Sequence, residues 1–410
     1  MPSAKALIVE RARSLGFDLV GIASAEPFVS TQRVFEDRVD AGYLGQWRYP
    51  ASRIREYCTP AQTLPGAKSI ICTATSYVTA AQPHDPNAPG LRGAVSCHSW
   101  GRDYHRVIGS RLRELAGFIS ARFAGAACVP CVDTGPLVDR AAAVRAGLGW
   151  FGKNGNVLTK EFGSWVLLGE VITTLELEPD EPLKTNCGTC EVCIDRCPTN
   201  AISAEGTVDA RRCISDLTQL KTPIPRELRN AIGNRLWGCD DCQSPCPVNL
   251  RKEVAAKAKS SDAFAPLPNA GPSVDLPAVL LMTKSQFRAW FGQTSMAWRG
   301  KAVLQRNAAV ALGNARDARA VAPLVTALSD RKPLVRGHAA WALGELGGEE
   351  ARTALKVLLQ RESDPWVREE TELALGGGQA QLAQPYNIAI SSGDSIESGV
   401  GARSTTSEPR

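Results

Sequence analysis

Long apolar runs are missing from this chain of 410 residues. No stretch approaches the ~18 apolar residues of a membrane span. The segment from Met1 to Ser14 is charged and amphipathic, without the apolar centre of an export signal. Methionine (3) and histidine (4) are scarce. No Walker A pattern occurs, so an ATP site is not expected. A soluble cytoplasmic protein is expected, and in that setting its 13 cysteines point to metal or catalysis rather than disulfides.

Eight of those cysteines fall between Cys187 and Pro247. The order is Cys187-x2-Cys190-x2-Cys193-x3-Cys197-Pro198, then Cys213, then Cys239-x2-Cys242-x3-Cys246-Pro247. The first run has the ligand spacing of a bacterial ferredoxin, and the second is the same run with its leading cysteine moved upstream. Zinc knuckles or disulfides are the alternatives; the proline after the fourth cysteine of both runs favours iron-sulfur. The fourth cysteine of each run crosses to the other cluster in two-cluster ferredoxins. Cys187, Cys190, Cys193 and Cys246 are therefore assigned to one [4Fe-4S] cluster. Cys239, Cys242, Cys213 and Cys197 are assigned to the second.

At ~150 residues per domain the length suggests two or three domains. Helical and short apolar segments alternate over 1–180, which argues an α/β domain that carries the substrate chemistry. Its strands are expected at 17–23, 69–75 and 165–172, with helices near 4–15, 35–47 and 103–123. The cluster domain spans 181–255, and 252–274 reads as a connector. Helical repeats occupy 275–376: Ala308-Ala-Val-Ala-Leu-Gly313 recurs as Ala339-Ala-Trp-Ala-Leu-Gly344 and more loosely at 371–376. Second helices lie between them, which is a short HEAT-like pattern. The last part, 377–410, is rich in Gly, Ser and Thr and is expected to be disordered. Between Lys284 and Arg336 ten Lys and Arg face only Asp317 and Asp330, a balance of +8 against +5 for the whole chain. Such a concentration suits a nucleic-acid contact or a solvated helical face.

Three stretches carry candidate chemistry. Val132-Asp133-Thr-Gly-Pro-Leu-Val-Asp139-Arg140 is a turn opening into a helix. Asp139 suits the helix dipole there, whereas Asp133 has no local structural duty. Gly101-Arg-Asp103-Tyr104-His105 places Asp103 as an N-cap, with Tyr104 and His105 in the first turn. The glycine-dense loop Gly147–Gly155 brings backbone close to something, a bulky cofactor being one occupant. It is not read as a dinucleotide-binding fingerprint, and no nicotinamide site is expected.

Together with the displaced Cys213 and the trailing repeats, these strings resemble the epoxyqueuosine reductase family over about 4–376. The resemblance implies a cobalamin-binding α/β domain of nitroreductase-like or reductive-dehalogenase-like type, followed by a two-cluster ferredoxin domain and HEAT-like repeats. It implies an oxidoreductase of queuosine biosynthesis. Such an enzyme reduces the epoxide of epoxyqueuosine at the wobble base of Tyr, His, Asn and Asp tRNAs, with cob(II)alamin cycling to cob(I)alamin. Carried over by motif, Asp133 is the proton donor, its pKa raised by burial and acidic neighbours, and Tyr104 and His105 line the pocket. Cobalamin contacts are implied at Arg55 (or Arg53), Cys97, Asp133, Val157, Leu168, Ser215, Asp240 and Asp241. No histidine is expected on the lower face of the cobalt. Arg299, Lys301, Arg306, Arg331 and Arg336 are chosen as tRNA contacts. An external donor such as a flavodoxin or ferredoxin, a monomer and no membrane complete the expectation. Two rival readings are a reductive-dehalogenase-like enzyme acting on a small molecule and an electron-transfer adaptor.

Overall fold

The computed structural model describes residues 2–376, apart from 80, 82, 86–88, 205, 252–253 and 255–262. The 377–410 segment, expected to be disordered, lies outside the described residues.

Nine strands are described, in three sheets. The largest joins β1 (Leu19–Ser24), β2 (Ser69–Ser76), β4 (Cys128–Cys131) and β7 (Val166–Thr173) in the order β1-β2-β7-β4, with β3 (Arg92–Val95) elsewhere. Every pairing in it is antiparallel. The alternating helices and strands build an antiparallel sheet with helices on both faces. β2 is buried along its whole length, and its alternate residues serve two cores. Ile70, Cys72 and Ala74 pack under the helix Asp139–Arg145 with Ala141, Ala142 and Ala143. Ile71 faces the helices Ala4–Ser14 and Tyr104–Arg122 through Ile8, Ala12, Ile108, Leu112 and Leu115. Gly169 in β7 makes that second contact possible, because a Cβ there would lie 2.7 Å from Ile108.

The helix expected at 35–47 runs instead over Val29–Asp40, and β4 was not anticipated. β5 (Trp150–Phe151) and β6 (Val157–Leu158) form a small hairpin. The third sheet has β3 at its centre, between β8 (Arg235–Trp237) and β9 (Ser273–Asp275). β3 pairs parallel with β8 and antiparallel with β9. One sheet thus draws on the catalytic region, the cluster region and the lead into the repeats; the presumed connector supplies β9.

The repeat helices are Lys301–Ala315, Val321–Ala327, Pro333–Leu346, Glu349–Arg361 and Pro365–Leu375. Their core is continuous with that of the cluster region, through Ile214, Leu217, Ile224, Leu236 and Trp237. Polar bonds fasten the same interface. Asn307 donates to the carbonyls of Thr218 and Leu236. Arg229 pairs with Glu370 at 2.7 Å, both buried.

Candidate active site and electron path

Asp103 caps the helix Tyr104–Arg122 by accepting from the His105 amide. The cap fixes the first turn, in which the rings of Tyr104 and His105 stack with centroids 4.1 Å apart. Both reach Asp133 on the turn after β4. The Tyr104 hydroxyl donates to Asp133 Oδ2. His105 Nε2 lies 2.8 Å from Asp133 Oδ1, and its Nδ1 lies 2.7 Å from Asp103 Oδ1. The Asp133 side chain remains 44% exposed, hemmed in by protein but open on one side, as the wall of a cleft must be.

Two carboxylates grip one imidazole, and this settles where the proton resides. Burial disfavours a charged His105, but hydrogen bonds to Asp103 and Asp133, together with their charges, outweigh it and raise His105 to about 9. For Asp133, burial favours the neutral acid; hydrogen bonds from His105 and Tyr104 and the charge of His105 reverse this and hold it below the usual carboxylate range. The expectation of a raised Asp133 is therefore corrected. The resting proton sits on His105, because histidine supplies a charge partner that neighbouring acids alone would not. Tyr104 is pushed upward by burial and then by Asp133, so it stays a donor.

His98 joins this group from the turn before the helix. It is partly buried, and desolvation lowers its pKa despite the charges of Asp240 and Asp133. Ser96 Oγ donates to Asp240 Oδ1 at 2.7 Å and lies 2.8 Å from His98 Nδ1. The hydroxyl has one hydrogen, so Nδ1–H is the donor in the second bond. The Cys97 amide donates to Asp240 Oδ2 at 2.9 Å. Asp240 thus stitches the loop of Cys239 and Cys242 to the turn that precedes Tyr104.

The eight cysteines group electrostatically largely as their spacing suggests, although Cys242 feels Cys193 of the other set as well as Cys239 and Cys213. Cys193 is raised by burial and then by Cys187, Cys246 and Cys190. Cys239 is raised by burial to about 12, with Asp241 and Cys213 adding to it, and Cys213 in turn feels Cys197. Cys187 and Cys246 also meet in one apolar cluster around Trp150 and Leu158. The Ala201 amide donates to Cys197 Sγ at 3.2 Å, the kind of bond that tunes a cluster's potential. None of the 13 cysteines is in a disulfide. No three described His, Cys, Asp or Glu side chains close up as around a single ion; a four-iron cage spaces its sulfurs more widely, and the electrostatic grouping is the observation that fits it. The residues present therefore suit two [4Fe-4S] clusters.

The glycine loop has a different job from the one expected. Gly147, Gly149 and Gly152 do carry G-x-G-x-x-G spacing, but the loop leaves a helix and enters the β5–β6 hairpin, so no helix N-terminus awaits a phosphate. The glycines admit the protein's own backbone: a Cβ at Gly149 would lie 2.3 Å from the Leu158 carbonyl, and one at Gly147 2.5 Å from that of Glu181. Asn154 then donates to the Cys242 carbonyl at 3.2 Å, tying this loop to the second cysteine set.

Of the other candidate contacts, Asp241 is paired with Arg235, Arg53 with the Tyr57 hydroxyl at 2.9 Å, and the Ser215 carbonyl with Thr218 and Gln219. Arg55 is exposed, Val157 is buried in β6, and Leu168 lies in β7. Asp240, through Ser96 and the Cys97 amide, is held beside His98, which also feels the charge of Asp133. Two cavities, of about 340 Å³ beside Leu19 and Glu181 and about 640 Å³ among Leu328, Glu349 and Val357, contain none of these residues.

The basic candidates separate sharply. Arg306 is fully buried and donates to the carbonyls of Leu217, Thr218, Leu220 and Thr222. It is a structural clamp, and its choice as a phosphate contact is corrected. Arg336 is bound to Glu362 at 2.6 Å, and Lys301 to Gln305 at 2.6 Å. Arg299 lies 3.7 Å over the ring of Trp298, which is 53% exposed. Arg331 is exposed.

Sequence reasoning overlooked Asp103 as a second grip on His105, His98 as a partly buried member, and Glu170. The signal for Glu170 was visible: one acid in an otherwise apolar strand.

Comparison with known proteins gives three family models along the chain. Residues 58–134 match epoxyqueuosine reductase QueG (DUF1730), 186–249 match a 4Fe-4S double cluster binding domain, and 299–376 match HEAT repeats. The epoxyqueuosine reductase of Bacillus cereus is 38% identical over 375 residues, 90% of this chain and 96% of that one. That of Bacillus subtilis is 38% identical over 367 residues, 89% and 93% of the two chains. The crystal structure of an epoxyqueuosine reductase with an epoxyqueuosine-modified tRNA-Tyr stem loop superposes with a TM-score of 0.83 at 37% identity, covering 92% of this chain and 99% of that one. A Bacillus subtilis structure, with its catalytic aspartate loop swung out of the active site, gives 0.83 at 36%, covering 91% and 98%.

Proposed function

The chain belongs to the epoxyqueuosine reductase family, and from that premise we propose that it reduces the epoxide of epoxyqueuosine at the tRNA wobble base to the alkene of queuosine. It is an oxidoreductase with a double-cluster domain and HEAT repeats. The observation that carries the reading is the contact of Asp133 with Tyr104 and His105, beside a loop that Asp240 ties to the second cysteine set.

Cobalamin fits these residues. Both ring nitrogens of His105 are engaged by carboxylates, so this histidine is not available as a cobalt ligand, in keeping with a histidine-free lower face. The hydroxyls of Thr75 and Ser76 are buried without a partner, on the strand that pairs with the one bearing Leu168. Unspent donors of this kind suit the amide-lined rim of a corrin. Cobalamin, when bound, supplies a cobalt centre that gathers single electrons and is a strong nucleophile. Cys97, Asp240, Leu168, Ser215 and Asp241 would hold it from the catalytic and cluster sides, with Arg55, Asp133 and Val157 completing the set.

Asp133 and His105 then act as one acid. The imidazolium holds the proton, Asp133 passes it to the epoxide oxygen, and Tyr104 keeps the carboxylate oriented. General acid assistance of this kind contributes roughly 10²–10⁴-fold. Electrons enter one at a time from a donor such as a flavodoxin or ferredoxin. The catalytic region 1–180, the cluster region 181–255 and the repeats 275–376 divide the labour of chemistry, electron supply and tRNA docking, in a cytoplasmic monomer. No helix among the described residues is long and apolar enough to cross a membrane.

The test is the nucleoside content of tRNA from a strain lacking the gene. Epoxyqueuosine accumulates if the reading is right; unchanged queuosine defeats it. Asp133→Asn keeps clusters, cobalamin and tRNA affinity and loses at least ~10²-fold in turnover; near-normal rates remove its role.

A further inference from the structure

Glu170 lies in the middle of β7 with no solvent exposure, and neither of its carboxyl oxygens has a hydrogen-bond partner. Its cross-strand neighbours are Cys72 on β2 and Cys131 on β4. Both belong to the core beneath the helix Asp139–Arg145, and Glu170 shares the strand face of Leu168 and Ile172, which pack there too. An unpartnered buried group needs an explanation. A leucine would fill this position without the penalty of desolvating a carboxyl, several kcal/mol if it were ionised.

The explanation lies in what surrounds it. Burial, then the charges of Asp139 and Asp133, push Glu170 well above the ordinary range, so it is a neutral acid. Asp139, at the first turn of its helix, is raised by burial and by Asp133 to about 7, against the pull of its own backbone amide and Arg140. Cys72 and Cys131 face Glu170 as neutral thiols, raised by burial. Arg145 is the basic group near Cys72, but it donates to the carbonyls of Ser24 and Glu26. Three carboxyls within electrostatic reach thus grade from a protonated core residue to an ionised residue in the cleft.

The reaction needs such a reserve. Converting an epoxide to an alkene breaks both C–O bonds, consumes two electrons and places two protons on the departing oxygen, which leaves as water. The clusters supply the electrons. The His105–Asp133 pair supplies one proton and is then spent. We propose that Glu170 and Asp139 form an internal proton store that recharges Asp133, so that the second proton reaches the oxygen without entry of bulk water. This rests on the epoxide-reduction reading. Both residues act through Asp133 and not on the substrate.

The test uses the holoenzyme with both clusters and cobalamin. First, with 13C-labelled glutamate, infrared spectroscopy at pH 7–8 shows a neutral carboxyl band that disappears in Glu170→Gln. Second, in single turnover with excess reductant, Glu170→Gln forms queuosine about 100-fold more slowly. Its rate falls as pH rises through 7, where the wild type is flat, while tRNA affinity and cluster content are unchanged. Should that variant not fold, Asp139→Asn is expected to show the same slowing without the slope through pH 7, since the group that titrates there is gone, and the wild-type band still reports the protonation state. A Glu170 ionised at neutral pH, or variants with wild-type rate and pH profile, overturns the proposal. A wild-type holoenzyme that leaves epoxyqueuosine intact defeats the functional reading instead, and the infrared band is unaffected by that failure.

Discussion

The two cysteine sets have the same chemistry and opposite surroundings. Around Cys187 and Cys190 the chain is solvent-facing: Lys184, Thr185, Asn186, Gly188 and Thr189 are all exposed. Around Cys213 and Cys239 it is core: Ile214, Leu217, Leu236 and Trp237 are buried. The second set is also the one that Asp240 and Asn154 fasten to the catalytic region. One sequence motif written twice therefore yields a solvent-facing set, suited as an entrance for electrons, and a set fastened to the catalytic region.

The strongest way to break this comparison is to remove one cluster at a time. Cys239→Ala is expected to abolish turnover and lose about half the iron. Cys190→Ala loses the same amount of iron but keeps measurable turnover with a small strong reductant that bypasses the entrance. Equal loss in both variants, measured by iron content and queuosine formation, would show that the sets are not ordered. A second test asks how far the buried side depends on the repeats. Arg306→Leu leaves four carbonyls without their donor and should lower stability by about 3 kcal/mol or more, read from denaturant unfolding. Arg331→Ala should leave stability unchanged.

A subtler test lies in the cleft. His105 has a folded pKa of about 9 against an ordinary 6.5, so its carboxylate pairing stabilises the fold fully below pH 6.5 and is lost as pH rises toward 9. His105→Gln should therefore be less stable than wild type near pH 6 and equal to it above pH 9. The deficit shrinks again in acid as Asp103 and Asp133, both lowered in the fold, take up protons. A deficit independent of pH would show that His105 is held by packing. The smallest effect is expected from Arg331→Ala on tRNA: a few-fold weaker binding and a salt dependence reduced by about one ion.

What could be read in advance follows from how local each signal is. The double-cluster domain was legible because ligand spacing is a property of short loops. The Asp103 cap was legible because a helix begins within one residue of it. The antiparallel order of the main sheet was not, since strand pairing is set by contacts far apart in sequence, such as Val129 with Ile172 on the neighbouring strand. β3, β8 and β9 are three or four residues each, too short for any periodicity. Arg306 was mistaken for a surface charge because charge was counted over a window. Its helix is buried from Val303 to Gly313, and a lone cation in such a segment points inward. Asp133 does meet Tyr104 and His105, but its charge state depends on His105, whose grip by two carboxylates is a matter of side-chain geometry.

The central strand of the small sheet has a consequence for how the molecule is made. Gly93 pairs with Val274, and Ala94 with Arg235. At roughly 5–20 residues per second of synthesis, β3 leaves the ribosome some 10–30 seconds before its last partner exists. The eight cysteines from Cys187 to Cys246 are all translated within that interval. The nascent chain therefore presents its thiols while the sheet beside them is still open.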